Sequence, residues 1–248
     1  KREFSLPSVI TSSVIVQDAA KKGIAKCLSG NANFYVDSFR EHFLLSGEDM
    51  QQAAFEGMKT CLSAGNISGV KSIQNQFSLS EEMLSSEETK QSAIKGMLKC
   101  LSDGSVDSAI EIKDKFSLPI DTVVDAVQAE LIKCLSKGSV NNAVKIKDRL
   151  TFSPEIVTLP EVTQAIKEGM IKRLSDGNVN DAIIVKDQFL VATDVISSPE
   201  VQQSAKKGIV KQLSKGNIGD AVQIRDKFLL NADVAQDAAR EGMQLLLL

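Results

Sequence analysis

The stretch KQLSKGNIGDAVQIRDKF, residues 211–228, decides how the rest of the chain is read. Its first half closes an apolar stripe of Val201, Ala205, Gly208, Ile209 and Leu213, spaced i, i+4, i+7, i+8, i+12 as on one face of a helix. Its second half puts Ala221, Ile224 and Phe228 on one face of a second helix. Between them, Gly216 stands where a helix ends in a left-handed residue. Asn217 follows, with a short side chain suited to accept a hydrogen bond from the N–H groups that open the next helix. The stretch predicts a tight hairpin of two helices, A then B.

The same phrase recurs at 26–43, 60–77, 99–116, 133–150 and 172–189. Its anchor leucines are Leu28, Leu62, Leu101, Leu135, Leu174 and Leu213, with Leu247 in a seventh half-copy, spaced 34 or 39 residues apart. Hairpin turns fall near residues 30, 64, 103, 137, 176 and 215. Gly65, Gly104, Gly138 and Gly177 repeat the left-handed position, and Asn66, Ser105, Ser139 and Asn178 repeat the cap. One hairpin cannot bury its apolar face alone, so the copies must stack. The expected fold is therefore all-α, a right-handed α-solenoid of six helical-hairpin repeats of 34–39 residues plus partial repeats at both ends. Residues 1–248 would form a single repeat domain.

The longer linkers, such as Ser85–Glu88 and Ser197–Glu200, are expected to lengthen helix A or its entry loop. Lys1–Phe4 matches the end of a helix B, and Ala239–Leu248 matches a helix A without its partner, so the chain reads as a fragment of a longer array. Head-to-tail association of the apolar Leu245–Leu248 end with the first residues of a second copy is expected.

Composition narrows the function classes. Lys+Arg 29 against Asp+Glu 32, a net charge of −3 and 43% apolar residues sit in the globular range. No apolar run approaches the roughly 18 residues of a membrane span. The slight acidity argues against a surface built wholly for nucleic acid.

Two antiparallel helices per unit of 34–39 residues, with Gly then Ala five residues later (Gly216 and Ala221, Gly177 and Ala182), resemble the tetratricopeptide and pentatricopeptide superfamily. Helix A departs from the tetratricopeptide consensus in lacking Trp and Tyr, and the chain has only Tyr35. The resemblance implies a groove lined by helix A that holds a peptide in one branch of the superfamily and single-stranded RNA in the other.

Chemistry-bearing residues are few. Cys27, Cys61, Cys100 and Cys134 share the column before the anchor leucine, where Arg173 and Gln212 stand later. Stacked units would hold their sulfurs roughly 10 Å apart, too far for a disulfide or one zinc, so they read as small semi-buried fillers. Free thiols suit a reducing compartment, and a cytoplasmic location is expected. Asp103–Asp107 and Asp176–Asn180 resemble the start of a calcium loop but lack its mid-loop Gly and terminal Glu. Asn66-Ile67-Ser68 fits a glycosylation sequon at a helix cap. His42, the only histidine, falls on the polar side of helix B and has no paired nucleophile. No catalytic, cofactor-binding or metal-binding residue is expected.

The informative feature is a polar stripe on helix A in three rows, each four residues from the next, which puts them on one face. The first holds Asp18, Gln52, Gln91, Asp125, Gln164 and Gln203, continued by Asp237. The second is variable: Lys22, Glu56, Lys95, Ala129, Glu168, Lys207 and Glu241. The third is Lys26, Thr60, Lys99, Lys133, Lys172, Lys211 and Leu245. Acids early and lysines late also complement the helix dipole, so helix stability by itself could account for the outer rows. A constant frame around a variable row is otherwise how a modular binder tells ligands apart. The expected partner is a protein or peptide segment, because Glu56, Glu168 and Glu241 would repel a polyanion. The alternative is single-stranded RNA, with the lysine row on phosphates, although Phe55 alone offers an aromatic platform near that face.

Two further columns carry expectations. Gly23, Gly57, Gly96, Gly169, Gly208 and Gly242 share one place in helix A, where glycine costs about 1 kcal/mol relative to alanine, so close helix approach is expected there. Glu130 interrupts that column, and a kink or wider gap is expected at it. In helix B the pairs Lys113-Asp114, Lys147-Asp148, Lys186-Asp187 and Arg225-Asp226 are placed to form ladders between repeats.

Overall fold

The structure is a computed structural model that describes residues 11, 13–30, 36–119, 121, 123–150 and 154–247. The helix B end expected at Lys1–Phe4 and the end of the first hairpin turn lie outside the described residues. Among the described residues every regular element is helical. The chain divides into two compact units, Lys1–Ala126 and Val127–Leu248.

In the first unit, the A helices are α1 (Val14–Ser29), α3 (Gly47–Ser63) and α6 (Glu87–Ser102). Their B partners are α2 (Val36–Phe43), α4 (Ile67–Gln76) and α7 (Val106–Phe116). α1 packs on α3 and α3 on α6, while each A helix also packs on its own B helix. In the second unit, α10 (Pro160–Asp176), α13 (Pro199–Leu213) and α15 (Ala232–Leu246) are A helices packed in that order. α9 (Val140–Leu150), α11 (Val179–Gln188) and α14 (Ile218–Lys227) are the B helices, also in serial contact. α8 (Val124–Lys137) is the A helix in which the two units meet along the sequence, and it carries Glu130. The buried Glu130 carboxylate accepts hydrogen bonds from Lys133 at 2.8 Å and from the Cys134 thiol at 3.6 Å.

The core follows the periodicity. Anchor leucines 28 through 213 are buried, as are Ile24, Met58, Met97, Leu131, Met170 and Ile209 one turn earlier. Burying such a side chain contributes about 1.5–3 kcal/mol before losses of chain entropy. Gly65, Gly104, Gly138, Gly177 and Gly216 all have positive φ, between 72° and 103°, which reverses the chain after helix A. The caps that follow behave differently from expectation. Asn66 accepts from the Gly69 N–H at 2.9 Å, but Ser105, Asn178 and Asn217 make no side-chain cap bond. Their backbone carbonyls open the next helix instead, accepting from Ala109, Ala182 and Ala221. The Asn217 amide is engaged with Gln212 at 2.9 Å.

The inserted linkers form separate short helices. α5 (Glu81–Ser85), a 3₁₀ turn at Pro154–Thr158 and α12 (Thr193–Ile196) precede α6, α10 and α13, which are no longer than the insert-free α3, so the inserts extend the entry and not helix A. The Met83 carbonyl accepts from Ser86 at 2.8 Å and from the buried Thr89 at 2.7 Å, which seats α5 on the start of α6.

Among the described residues, four B helices end on a non-glycine residue with positive φ, namely Leu44, Ser117, Leu190 and Leu229. The next residue's N–H closes back on the helix, as in Leu118 to Lys113 and Val191 to Lys186, both at 3.1 Å. A left-handed L-residue costs on the order of 1 kcal/mol, and Leu190 is 86% exposed, so packing compensates little. Leu190→Asn should raise stability by roughly 0.5–1 kcal/mol, because asparagine tolerates this conformation. A urea midpoint that stays put or falls would show that the Leu190 side chain has a structural contact.

Candidate interaction surface

The polar stripe runs along a solvent-exposed face of the A helices. All of Asp18, Gln52, Gln91, Asp125, Gln164 and Gln203 are exposed, and so are Lys22, Glu56, Lys95, Glu168 and Lys207. Lys26, Lys99 and Lys172 are exposed, while Lys133 and Lys211 are half-buried. Exposure of this face and burial of the opposite one follow from the same 3.6-residue period.

Packing of neighbouring A helices turns parts of the stripe into grooves. Between α1 and α3 lies a groove of about 540 Å³ that brings Asp18, Lys22 and Lys26 opposite Gln52, Glu56 and Thr60. Between α3 and α6 an open groove of about 630 Å³ places Thr60 opposite Gln91 and Lys95. In the second unit a groove of about 500 Å³ between α13 and α15 joins Gln203, Lys207 and Lys211 to Glu241 and Leu245. Gln164, Glu168 and Lys172 stand exposed along α10.

Within a helix the rows are linked. Gln52 donates to Glu56 at 3.3 Å and Gln164 to Glu168 at 2.9 Å, while Lys99 of the third row donates to the C-cap residue Asp103 at 2.7 Å. Between helices, a set of ion pairs that the sequence reading left out borders the grooves. Lys21 bridges Asp18 at 2.9 Å and Asp49 of the next A helix at 3.3 Å. Lys59 contacts Glu56 at 2.9 Å and reaches Glu88 of the next helix. Lys167 reaches Glu200 at 3.1 Å. The acids on the following helix, Asp49, Glu88 and Glu200, each lie in a first helical turn, where they also favour the dipole. That dual role hid them, since the dipole already accounted for an acid in that turn.

The Ser46 hydroxyl and backbone N–H hold the Asp49 carboxyl below its ordinary value of 3.8, and Lys21 adds to this. A lowered folded-state value stabilises the fold above the ordinary one and is lost as pH falls through the lowered one. Asp49→Asn should therefore flatten the acid side of a stability-against-pH curve, where pH falls through and below the ordinary carboxylate range. An unchanged slope would show that this carboxylate contributes nothing to acid sensitivity.

On the B side, each Lys–Asp or Arg–Asp pair closes on its own neighbour, from 2.7 Å for Arg225–Asp226 to 3.2 Å for Lys113–Asp114. Links between B helices include Lys71–Glu111 at 2.7 Å and Lys147 to the Gln188 carbonyl at 3.0 Å.

The column before the anchor leucine does more than fill space. The Cys61 thiol points to the Ser29 carbonyl at 3.9 Å and Cys100 to the Gly65 carbonyl at 3.7 Å. Arg173 donates to the Leu135 carbonyl at 3.3 Å, and Gln212 to the Gly177 carbonyl at 2.5 Å. Each is a donor aimed at carbonyls that the previous helix A leaves free at its C-terminal end. Donor capacity is what Cys, Arg and Gln share. The four cysteines are free, and burial pushes up Cys61, Cys100 and Cys134, the last to about 12 with Glu130 adding to it. Thiols so placed stay protonated at neutral pH and are poor nucleophiles.

Phe55 does not face the groove. It is buried, with Lys59 Nζ of its own helix 4.7 Å above its ring. His42 is exposed and its Nδ1 lies 2.8 Å from the Ser38 carbonyl. Among the described residues no cluster of His, Cys, Asp or Glu has the makeup of a metal site, and no helix is long and apolar enough to cross a membrane. Compared with family models, curated proteins and solved structures, the chain has no match.

Proposed function

We propose that this chain is a non-enzymatic α-solenoid interaction scaffold of the tetratricopeptide and pentatricopeptide kind, six hairpins long, whose helix A grooves receive an extended segment of a partner protein. The carrying observation is that the variable row is exposed throughout and that Lys22, Glu56, Lys95, Lys207 and Glu241 of it line grooves between successive A helices. Lysines and glutamates alternate in these grooves, as suits a segment of mixed charge. Single-stranded RNA is the weaker reading, since Glu56, Glu88 and Glu241 line the grooves and the one nearby aromatic ring is buried. Protonated, buried thiols fit a reducing compartment such as the cytoplasm. Head-to-tail contact between copies belongs to the same reading, because serial packing of A helices could continue from one molecule to the next.

The test is a peptide-display selection on the intact chain, followed by Glu56→Lys and Lys207→Glu variants, beside gel shifts with random single-stranded RNA at two salt concentrations. Selected peptides should lose about tenfold or more in affinity to at least one charge reversal. RNA affinity that falls steeply with salt would replace this reading by the RNA one.

A further inference from the structure

In the first unit, the charges along the A face do not balance among themselves. The grooves between α1 and α3 and between α3 and α6 share Thr60, so they join into one trough across three A helices. The acids that line it are engaged from within. Asp18 is held by Lys21 at 2.9 Å and Glu56 by Lys59 at 2.9 Å, and Lys59 also reaches Glu88. Lys22 and Lys26 of α1 and Lys95 of α6 line the same trough and are exposed. Among the described residues their ammonium groups have no carboxylate partner.

Helix stability accounts for only one of these lysines. Lys26 lies in the last turn of α1, where a cation favours the dipole. Lys22 and Lys95 lie in the middle of their helices, beyond the reach of that effect. Composition does not account for them either, since the chain as a whole carries a net charge of −3. Unpaired cations gathered in one trough of an acidic chain attract an anionic ligand.

The spacing gives the form of that ligand. Lys22 and Lys26 stand one helical turn apart and can share one carboxylate. Lys95 stands two helices away, and helices packed about 8–10 Å apart put it roughly 16–20 Å from them. An extended polypeptide covers that span in about five or six residues, at about 3.3 Å each. Glu56 of α3 lies between, so the residue that crosses α3 must be uncharged. A nucleic-acid strand cannot leave that gap, because every nucleotide brings a phosphate.

We propose that this trough binds an acidic stretch of an extended partner segment. One Asp or Glu side chain meets Lys22 and Lys26, a second meets Lys95 five or six residues along, and the residues between are uncharged. The inference rests on the segment-binding reading of the A face and assigns the segment's acids to the first unit. Each contact is solvent-exposed and weak by itself, so the fixed separation of the two lysine sites supplies the selectivity.

The test begins with random peptides of about twelve residues displayed on phage and selected on the intact chain. The selected sequences are then made with acetylated and amidated ends, so that only side chains carry charge, and titrated by fluorescence anisotropy. They should carry two acids five or six residues apart. Affinity should fall about fivefold or more when those acids become amides, and equally in the Lys22→Gln/Lys95→Gln variant. Neither lysine holds an ion pair, so that variant should keep the parent's circular dichroism and melting point. Lys71→Gln/Lys113→Gln removes the same charge from the B helices of the same unit and should change affinity by less than about twofold. Selected peptides without the acid pair, or an equal loss in both double variants, would overturn the inference and leave the scaffold reading standing. A selection that returns no binder would sink the scaffold reading, and the inference with it. Single-stranded RNA that displaces the peptides and itself depends on Lys22 and Lys95 would assign the trough to nucleic acid and equally overturn the inference.

Discussion

Gly96→Ala should destabilise the chain by on the order of 3 kcal/mol, although alanine is the better helix former by about 1 kcal/mol. The added methyl would fall on the Leu62 carbonyl of the neighbouring A helix, with the carbonyl carbon 2.9 Å away. Backbone cannot turn aside as a flexible side chain can, so α3 and α6 would have to separate. The same contact recurs down the column, where a Cβ would meet the Leu135 carbonyl oxygen at 2.7 Å from Gly169 and that of Leu174 at 2.8 Å from Gly208. Gly219 is the control, since it sits in α14 with open space around it. Gly219→Ala should stabilise by up to about 1 kcal/mol through propensity alone. Urea unfolding of both variants checks the pair. If Gly96→Ala melts with or above the parent, the A helices are not in backbone contact at this column.

Arg173→Gln should raise stability by about 2 kcal/mol, the reverse of what removing a hydrogen-bonded buried residue does. Arg173 is 2% exposed, donates through Nη1 to the Leu135 and Gly169 carbonyls, and leaves Nε and Nη2 without partners. Burial lowers its pKa, with Asp181 opposing only in part, so the charge is held at a cost. Gln212 shows the alternative one repeat later. Its amide N–H donates to the Gly177 carbonyl at 2.5 Å and its oxygen accepts from Asn217 at 2.9 Å. Asn178 stands at the place of Asn217 beside Arg173, so glutamine there would find the same two partners. A fall in the urea midpoint would mean that the attraction of the nearby Asp181 charge outweighs the burial of the guanidinium.

The hairpins, their turns and their core columns were legible in the sequence. A period of 34 or 39 residues fixes which positions are equivalent, and the 3.6-residue period sorts each helix into a buried and an exposed face. Leu213 and Ile209 are buried, Lys207 is exposed and Gly216 is left-handed for these local reasons, which need no knowledge of the neighbours. Tertiary structure alone decided whatever depends on which atoms of two helices meet. It set the glycine column against carbonyl oxygens, turned Phe55 under Lys59, and paired Lys21, Lys59 and Lys167 with acids on the next helix. It also gave the cysteine column its role as donor to the previous turn, and left Asn217 engaged with Gln212 rather than with its own helix. These outcomes turn on the offset between packed helices, a matter of about one residue's rise, 1.5 Å. A sequence period states which residues are equivalent and carries no information on that offset. It is set by how closely the backbones approach, and therefore by the glycines.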